Sequence, residues 1–124
     1  MLPFILDKTQ DTPGIILDKA GNTFEFSGTS IPENTKKLYQ PILDWIEEYI
    51  KEPNNETVVN FKMNYFNTSS TKALLDIMIL FKEIAKNGKM LIINWYFNEE
   101  DEDMLEAGEG FSKMVRFPFN YVKY

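Results

Sequence analysis

The sequence predicts an α/β fold made of one domain, residues 1-124, with a mixed sheet whose central strands are parallel. Three observations predict it. The first 28 residues hold short β-type runs separated by turn signals, two later segments show period-two or continuous apolar character, and amphipathic stretches of helical period lie between them. The expected order is β-β-β-α-β-α-β-α-β.

Strands are expected at Phe4 to Leu6, Ile15 to Asp18 and Thr23 to Ser27, with turns at Thr12-Pro13-Gly14 and Ala20-Gly21-Asn22. These short turns suit an antiparallel opening. Ser30-Ile31-Pro32-Glu33-Asn34 leads into a helix from about Thr35 to Lys51, where Leu38, Ile42, Trp45, Ile46 and Tyr49 share one face. From Thr57 to Phe66, Val59, Phe61, Met63 and Tyr65 alternate with Val58, Asn60, Lys62 and Asn64, as in a strand with one wetter face. A second helix is expected from about Ser69 to Asn87, stopped by Asn87-Gly88.

Met90 to Phe97 is apolar except at Asn94, which suits a central strand covered on both faces. The acidic run from Asn98 to Gly110 reads as a short third helix. Asn98 is its expected cap, and Glu99, Glu100 and Asp101 favour its positive end. A final strand from about Met114 to Val122 completes the chain, with Pro118 marking an edge or a bulge. Two consecutive β-α-β units should cross over with a right hand and leave their three strands parallel.

Composition narrows the chemistry. The chain has 124 residues, 44% of them hydrophobic, which suits one folded core. A net charge of -6 opposes binding to a phosphate backbone, so nucleic acid is not an expected partner. The N-terminus lacks a basic n-region, and no apolar run approaches the ~20 residues of a membrane span, so the expected location is cytoplasmic. Without cysteine or histidine there is no thiol nucleophile, imidazole base or zinc-thiolate site. Carboxylate chemistry with Mg²⁺ remains open, and no cofactor is expected.

The segment that draws attention is Tyr65-Phe66-Asn67-Thr68-Ser69-Ser70-Thr71-Lys72, where a strand gives way to a helix. Unpaired N–H groups at a helix start favour an anion, so a phosphoryl group on Thr68 or a neighbour would be stabilised there by about 0.3 to 1 kcal/mol. On a helical wheel, Leu74, Ile77, Met78, Phe81 and Ile84 form the core face. Thr68, Lys72, Leu75 and Ile79 fall on the opposite side, beside Asp76, Glu83 and Lys86. Leu75 and Ile79 are out of place there and are candidates for partner binding. The alternative is plain helix capping by Asn67 or Thr68, with Leu75 and Ile79 filling a neighbouring groove.

The acidic residues Glu99, Glu100, Asp101, Glu102, Asp103, Glu106 and Glu109 could in principle hold a hard cation. An EF-hand fails because Met104 stands where that loop needs glycine, and a solvated helix face is the simpler expectation. Trp45 and Trp95-Tyr96-Phe97 read as core aromatics.

Ser30-Ile31-Pro32-Glu33-Asn34, Tyr65-Phe66-Asn67-Thr68-Ser69-Ser70, Trp95-Tyr96, Asp103-Met104, Glu106, Gly108-Glu109 and Phe111 together resemble the SiaC-type regulatory phosphoproteins. The resemblance runs from Thr12-Pro13 to about Phe111, and the Tyr-Phe-Asn-Thr-Ser-Ser block is its most specific part. It implies a fold similar to the anti-sigma-factor-antagonist (STAS) domain and a partner-switching role. It further implies that a dedicated protein kinase phosphorylates Thr68, that a PP2C-type phosphatase reverses this, and that the unmodified form binds and activates a diguanylate cyclase in cyclic di-GMP signalling and biofilm control. Asn67, Ser69, Ser70 and Lys72 would be the surroundings of that phosphosite. Two other functions remain open at this stage: a constitutive interaction domain without a switch, and a carboxylate and Mg²⁺ enzyme around Asp101 to Glu109.

Overall fold

The computed structural model describes residues 1–124. Its elements are β1 (Phe4–Leu6), β2 (Gly14–Asp18), β3 (Thr23–Ser30), α1 (Thr35–Tyr49), β4 (Glu56–Phe66), α2 (Thr68–Lys86), β5 (Met90–Phe97), α3 (Glu102–Val115) and β6 (Asn120–Lys123). The expected order of nine elements is therefore the observed one. All six strands join one sheet in chain order, β1-β2-β3-β4-β5-β6. The pairs β1/β2 and β2/β3 are antiparallel, and β3/β4, β4/β5 and β5/β6 are parallel.

There are thus three crossovers rather than two, because β6 also runs parallel to its neighbour. An uninterrupted strand order has a geometric consequence. Each right-handed crossover returns to the same side, so all three helices cover one face and leave the other open. Side chains that point to the helices are buried: Ile15, Leu17, Phe24, Phe26, Val59, Phe61, Met63, Leu91, Ile93 and Trp95. Their neighbours Ile16, Glu25, Val58, Asn60, Lys62, Ile92, Asn94 and Tyr96 stay half-exposed on the open face. The expectation that β5 is covered on both sides is therefore corrected. Its apolar run reflects β-propensity at Ile92 rather than a second helix layer.

On the open face an amide ladder crosses the parallel strands. Asn94 donates to Asn60 at 2.9 Å, and Asn120 donates to Asn94 at 3.2 Å. Lys62 pairs with Glu25 at 2.9 Å, and that contact, first as a hydrogen bond, raises the lysine above its ordinary value.

The core on the helix side is aromatic. Trp95 packs against Phe61, Phe66 and Phe111, and its indole N–H donates to the Met104 carbonyl at 2.8 Å. Helix α2 buries Leu74, Ile77, Met78, Phe81 and Ile84, the face that its spacing predicts. It ends with Gly88 at φ 87, where Gly88 N–H reaches the Ala85 carbonyl and Lys89 N–H reaches that of Ile84.

Two boundaries differ from expectation at the acidic segment. Asn98 accepts from Glu100 N–H and closes a turn, while Asp101 caps α3 by accepting from Met104 N–H at 3.0 Å. Helix α3 then runs through Met114, which had been expected in the last strand, and stops at Arg116 in the left-handed region. Pro118 lies just before the short edge strand β6, as its missing donor requires. No helix is long and apolar enough to cross a membrane.

Candidate functional site

The parallel strands β3, β4 and β5 each end where the next helix begins, so the starts of α1, α2 and α3 share one end of the sheet. The approach to α2 is shaped by a bulge. Gly28 pairs with Met63 but Thr29 pairs with Tyr65, so β4 carries one extra residue, Asn64. The parity of the strand flips there. Tyr65, expected to continue the buried row, is 58% exposed, and Phe66 turns inward against Trp95 and Phe111. The facing Gly28 has φ +88, a conformation that an L side chain would strain.

Asn67 caps α2 from an extended backbone. Its side-chain oxygen accepts from Ser70 N–H at 3.0 Å and from the Ser69 hydroxyl at 3.1 Å. Its N–H donates to the Ser30 carbonyl at 3.1 Å, and its own carbonyl accepts from the Thr71 hydroxyl at 3.1 Å. Ser69 also lies 2.6 Å from the Thr35 hydroxyl, which ties the starts of α1 and α2 together.

Beneath this lies a buried hydroxyl chain. The Ser70 hydroxyl donates to the Ser30 carbonyl at 3.0 Å and lies 2.8 Å from the Ser30 hydroxyl, which in turn lies 2.7 Å from that of Tyr39. Each hydroxyl has one proton, so with Ser70 committed to the carbonyl, Ser30 donates to Ser70 and Tyr39 donates to Ser30. Ser30 and Ser70 are fully buried, and no buried side-chain polar atom in the protein lacks a partner. Burial raises the Tyr39 phenol above its ordinary value of 10.0, against the smaller opposite effect of the two serines. Because the folded value is the higher one, Tyr39 contributes stability in full below pH 10.0 and loses it as pH rises through the folded value. Denaturant melts of Tyr39→Phe should show a loss of about 1 kcal/mol at neutral pH and a flatter decline at alkaline pH. An unchanged alkaline slope would remove Tyr39 as its source.

Among four consecutive hydroxyls, Thr68, Ser69, Ser70 and Thr71, three are occupied in this way. Thr68 is exposed at the first position of α2 and makes no side-chain hydrogen bond. Lys72 lies one turn further on, exposed, with Nζ 3.3 Å from an Asp76 oxygen. The two aliphatic candidates differ. Ile79 is 45% exposed, whereas Leu75 is half-buried and packed against the core. The structure therefore brings Thr68, Asn67, Ser69, Ser70 and Lys72 together at one helix start, with Leu75 and Ile79 further along the same helix.

The sequence reading missed Ser30, Thr35 and Tyr39 as supports of this site. Ser30 belonged to a recognised helix start, but nothing local says that its hydroxyl bonds to α2. The acidic residues before and along α3 form no group of three or more carboxylates positioned to hold a metal ion.

The family model described as SiaC family regulatory phosphoprotein matches residues 6–124. The chain belongs to the SiaC family.

A curated relative, an uncharacterised protein of Pseudomonas aeruginosa strain UCBPP-PA14, is 32% identical over 111 residues, covering 90% of this chain and 88% of the relative. Among solved structures, apo-SiaC from Pseudomonas aeruginosa matches with a TM-score of 0.89 at 29% identity, covering 98% of this chain and 99% of that one. The SiaC chain in the crystal structure of the diguanylate cyclase SiaD with its activator SiaC, also from Pseudomonas aeruginosa, matches with a TM-score of 0.90 at 29% identity over 98% of this chain and 99% of that one. The SiaC match thus takes in all three helices and the whole Asn67 to Lys72 segment. The family expected from the sequence motifs is the family found.

Proposed function

We propose that this SiaC-family protein is a phosphorylation-controlled binding switch whose bare form docks on and activates a diguanylate cyclase, and whose Thr68-phosphorylated form lets it go. In this reading a protein kinase transfers the γ-phosphoryl group of ATP to Thr68 Oγ1, with ADP and a proton leaving. A PP2C-type phosphatase hydrolyses the ester and returns the hydroxyl and inorganic phosphate. The chain acts in the cytoplasm, performs no catalysis of its own and needs no cofactor.

The observation that carries the proposal is the state of the four hydroxyls at the start of α2. Ser70 is buried and bonded, Ser69 and Thr71 are bonded, and only Thr68 is both exposed and free. A dianion there sits against the positive end of a 19-residue helix, so the modified state is not penalised by the fold. The structural likeness to an activator bound to a diguanylate cyclase supports the choice of effector.

The direct test is incubation with the kinase and ATP, followed by intact mass and peptide mapping. The expected result is one phosphate on Thr68. A phosphate on Ser69 or Thr71, or none, would overturn the assignment.

A further inference from the structure

We infer that the open face of the sheet carries a ligand site of its own, a hollow over β2, β3 and β4 that takes a small organic acid with an apolar body and a single carboxylate. It lies on the side of the sheet away from the helices, so the inference stands apart from the switch reading above. The hollow measures about 610 Å³, within the range of roughly 300 to 1,000 Å³ usual for small-molecule sites.

Its origin is a row of small residues. Gly14 pairs with Ser27, and Ser27 with Lys62, so a glycine and a serine stand side by side on neighbouring strands. The adjoining row, Ile5, Ile16, Glu25 and Asn60, is filled by longer side chains. The floor therefore sinks at Gly14 and Ser27, with Ile5 and Ile16 as an apolar wall on one side and Lys62 and Tyr96 on the other. An added Cβ at Gly14 would lie 2.9 Å from Ser27 Oγ and 3.3 Å from Lys8 Cβ, so a side chain there would crowd the floor.

Charge selects the ligand. Lys62 is engaged, with Nζ 2.9 Å from Glu25 Oε1 and 4.9 Å from the centre of the Tyr96 ring. Lys8 is placed but not engaged. Its stem runs over two glycines, with Cβ 3.3 Å from the Cβ site of Gly14 and Cδ 3.4 Å from that of Gly28, and its ammonium takes part in none of the salt bridges of the chain. The Ser27 hydroxyl also borders the hollow, half-exposed. Asp7 and Glu25 balance Lys8 and Lys62 around the rim, which disfavours a polyanion. One carboxylate, met by the Lys8 ammonium and the Ser27 hydroxyl, fits this balance, and the apolar body then lies along Ile5, Ile16 and the Tyr96 ring.

The test is a nitrogen-15 NMR titration of the full chain with phenylacetate and octanoate, which separate an aromatic from an aliphatic source of the same chemistry. At least one acid should give saturable shifts centred on the amides of Lys8, Gly14, Ser27 and Lys62, with a dissociation constant on the order of millimolar. Phenethylamine, whose charge is reversed, should give none there. Lys8→Met keeps the stem over the glycines and removes the charge, and it should weaken binding by about fivefold or more, whereas Lys113→Met at an exposed position of α3 should bind as the parent does. Ser27→Val fills the floor and should abolish the shifts with unchanged melting. No shifts with either acid, shifts centred on another surface, equal binding of phenethylamine, or equal binding by Lys8→Met would each overturn the inference.

Discussion

Thr68→Ala is expected to abolish phosphorylation completely while changing stability by no more than about 0.5 kcal/mol. The threonine is exposed, makes no side-chain bond and occupies the first helical turn, where Asn67 already supplies the cap. Its loss exposes no unsatisfied partner. Ser70→Ala makes the contrast, because that hydroxyl bonds to the Ser30 carbonyl and lies against the Ser30 hydroxyl in the buried chain below the helix start. Removing it should cost about 1 to 3 kcal/mol and leave phosphorylation of Thr68 intact at temperatures where the variant is folded. Thermal melts with intact-mass measurement separate the two variants. A Thr68→Ala protein that still takes a phosphate, or that melts like Ser70→Ala, would contradict the roles assigned to these hydroxyls.

The largest structural effect is expected at Gly108. This glycine lies on the face of α3 that meets Trp95, and an added Cβ would approach the indole Cδ1 to within 2.4 Å and Nε1 to within 2.6 Å. The indole cannot swing aside freely, because its N–H is held by the Met104 carbonyl and its rings are packed against Phe61, Phe66 and Phe111. Helix α3 must move instead, which breaks the packing around Met104 and Phe111. Gly108→Ala should therefore destabilise by about 3 kcal/mol. Gly110→Ala on the same helix meets nothing within 4 Å and should stabilise by about 0.5 to 1 kcal/mol through helix propensity alone. Equilibrium denaturation of the pair gives opposite signs if α3 is packed as described. Equal effects would mean that the Gly108 contact with Trp95 is not tight.

Much of this architecture could be read from the chain because local patterns and global packing agree. Helix α2 shows its core face in Leu74, Ile77, Met78, Phe81 and Ile84, and all five are fully buried. What escaped was set by topology. The run Met90 to Phe97 is as apolar as a doubly covered strand, yet nothing in its residues states that every crossover returns to one side. The bulge at Asn64 turns Tyr65 outward, and period-two alternation read along one strand cannot register a residue added relative to its neighbour. At the acidic segment two residues compete as caps. Asn98 is used for a turn, so Asp101 starts the helix three residues later.

The candidate site divides in the same way. The segment Asn67 to Lys72 stands out in the sequence because a strand meets a helix rich in hydroxyls there, and it is the family resemblance that singles out Thr68 within it. The reason Thr68 differs from Ser69 and Ser70 is nonlocal, since their hydroxyls are occupied by Thr35 and Ser30, whereas that of Thr71 is taken by the Asn67 carbonyl one turn back. A helical wheel places Leu75 and Ile79 on one stripe, but only packing distinguishes them. Leu75 leans on the core, and Ile79 remains exposed beside the groove between α1 and α2.

The most direct test of the whole account is the affinity of two homogeneous samples for the diguanylate cyclase, one bare and one carrying a single phosphate on Thr68, measured by calorimetry in the same buffer. The bare protein should bind and the phosphorylated protein should bind at least about tenfold more weakly, as expected for a dianion set against a docking surface. Equal affinities would contradict a switch at the start of α2.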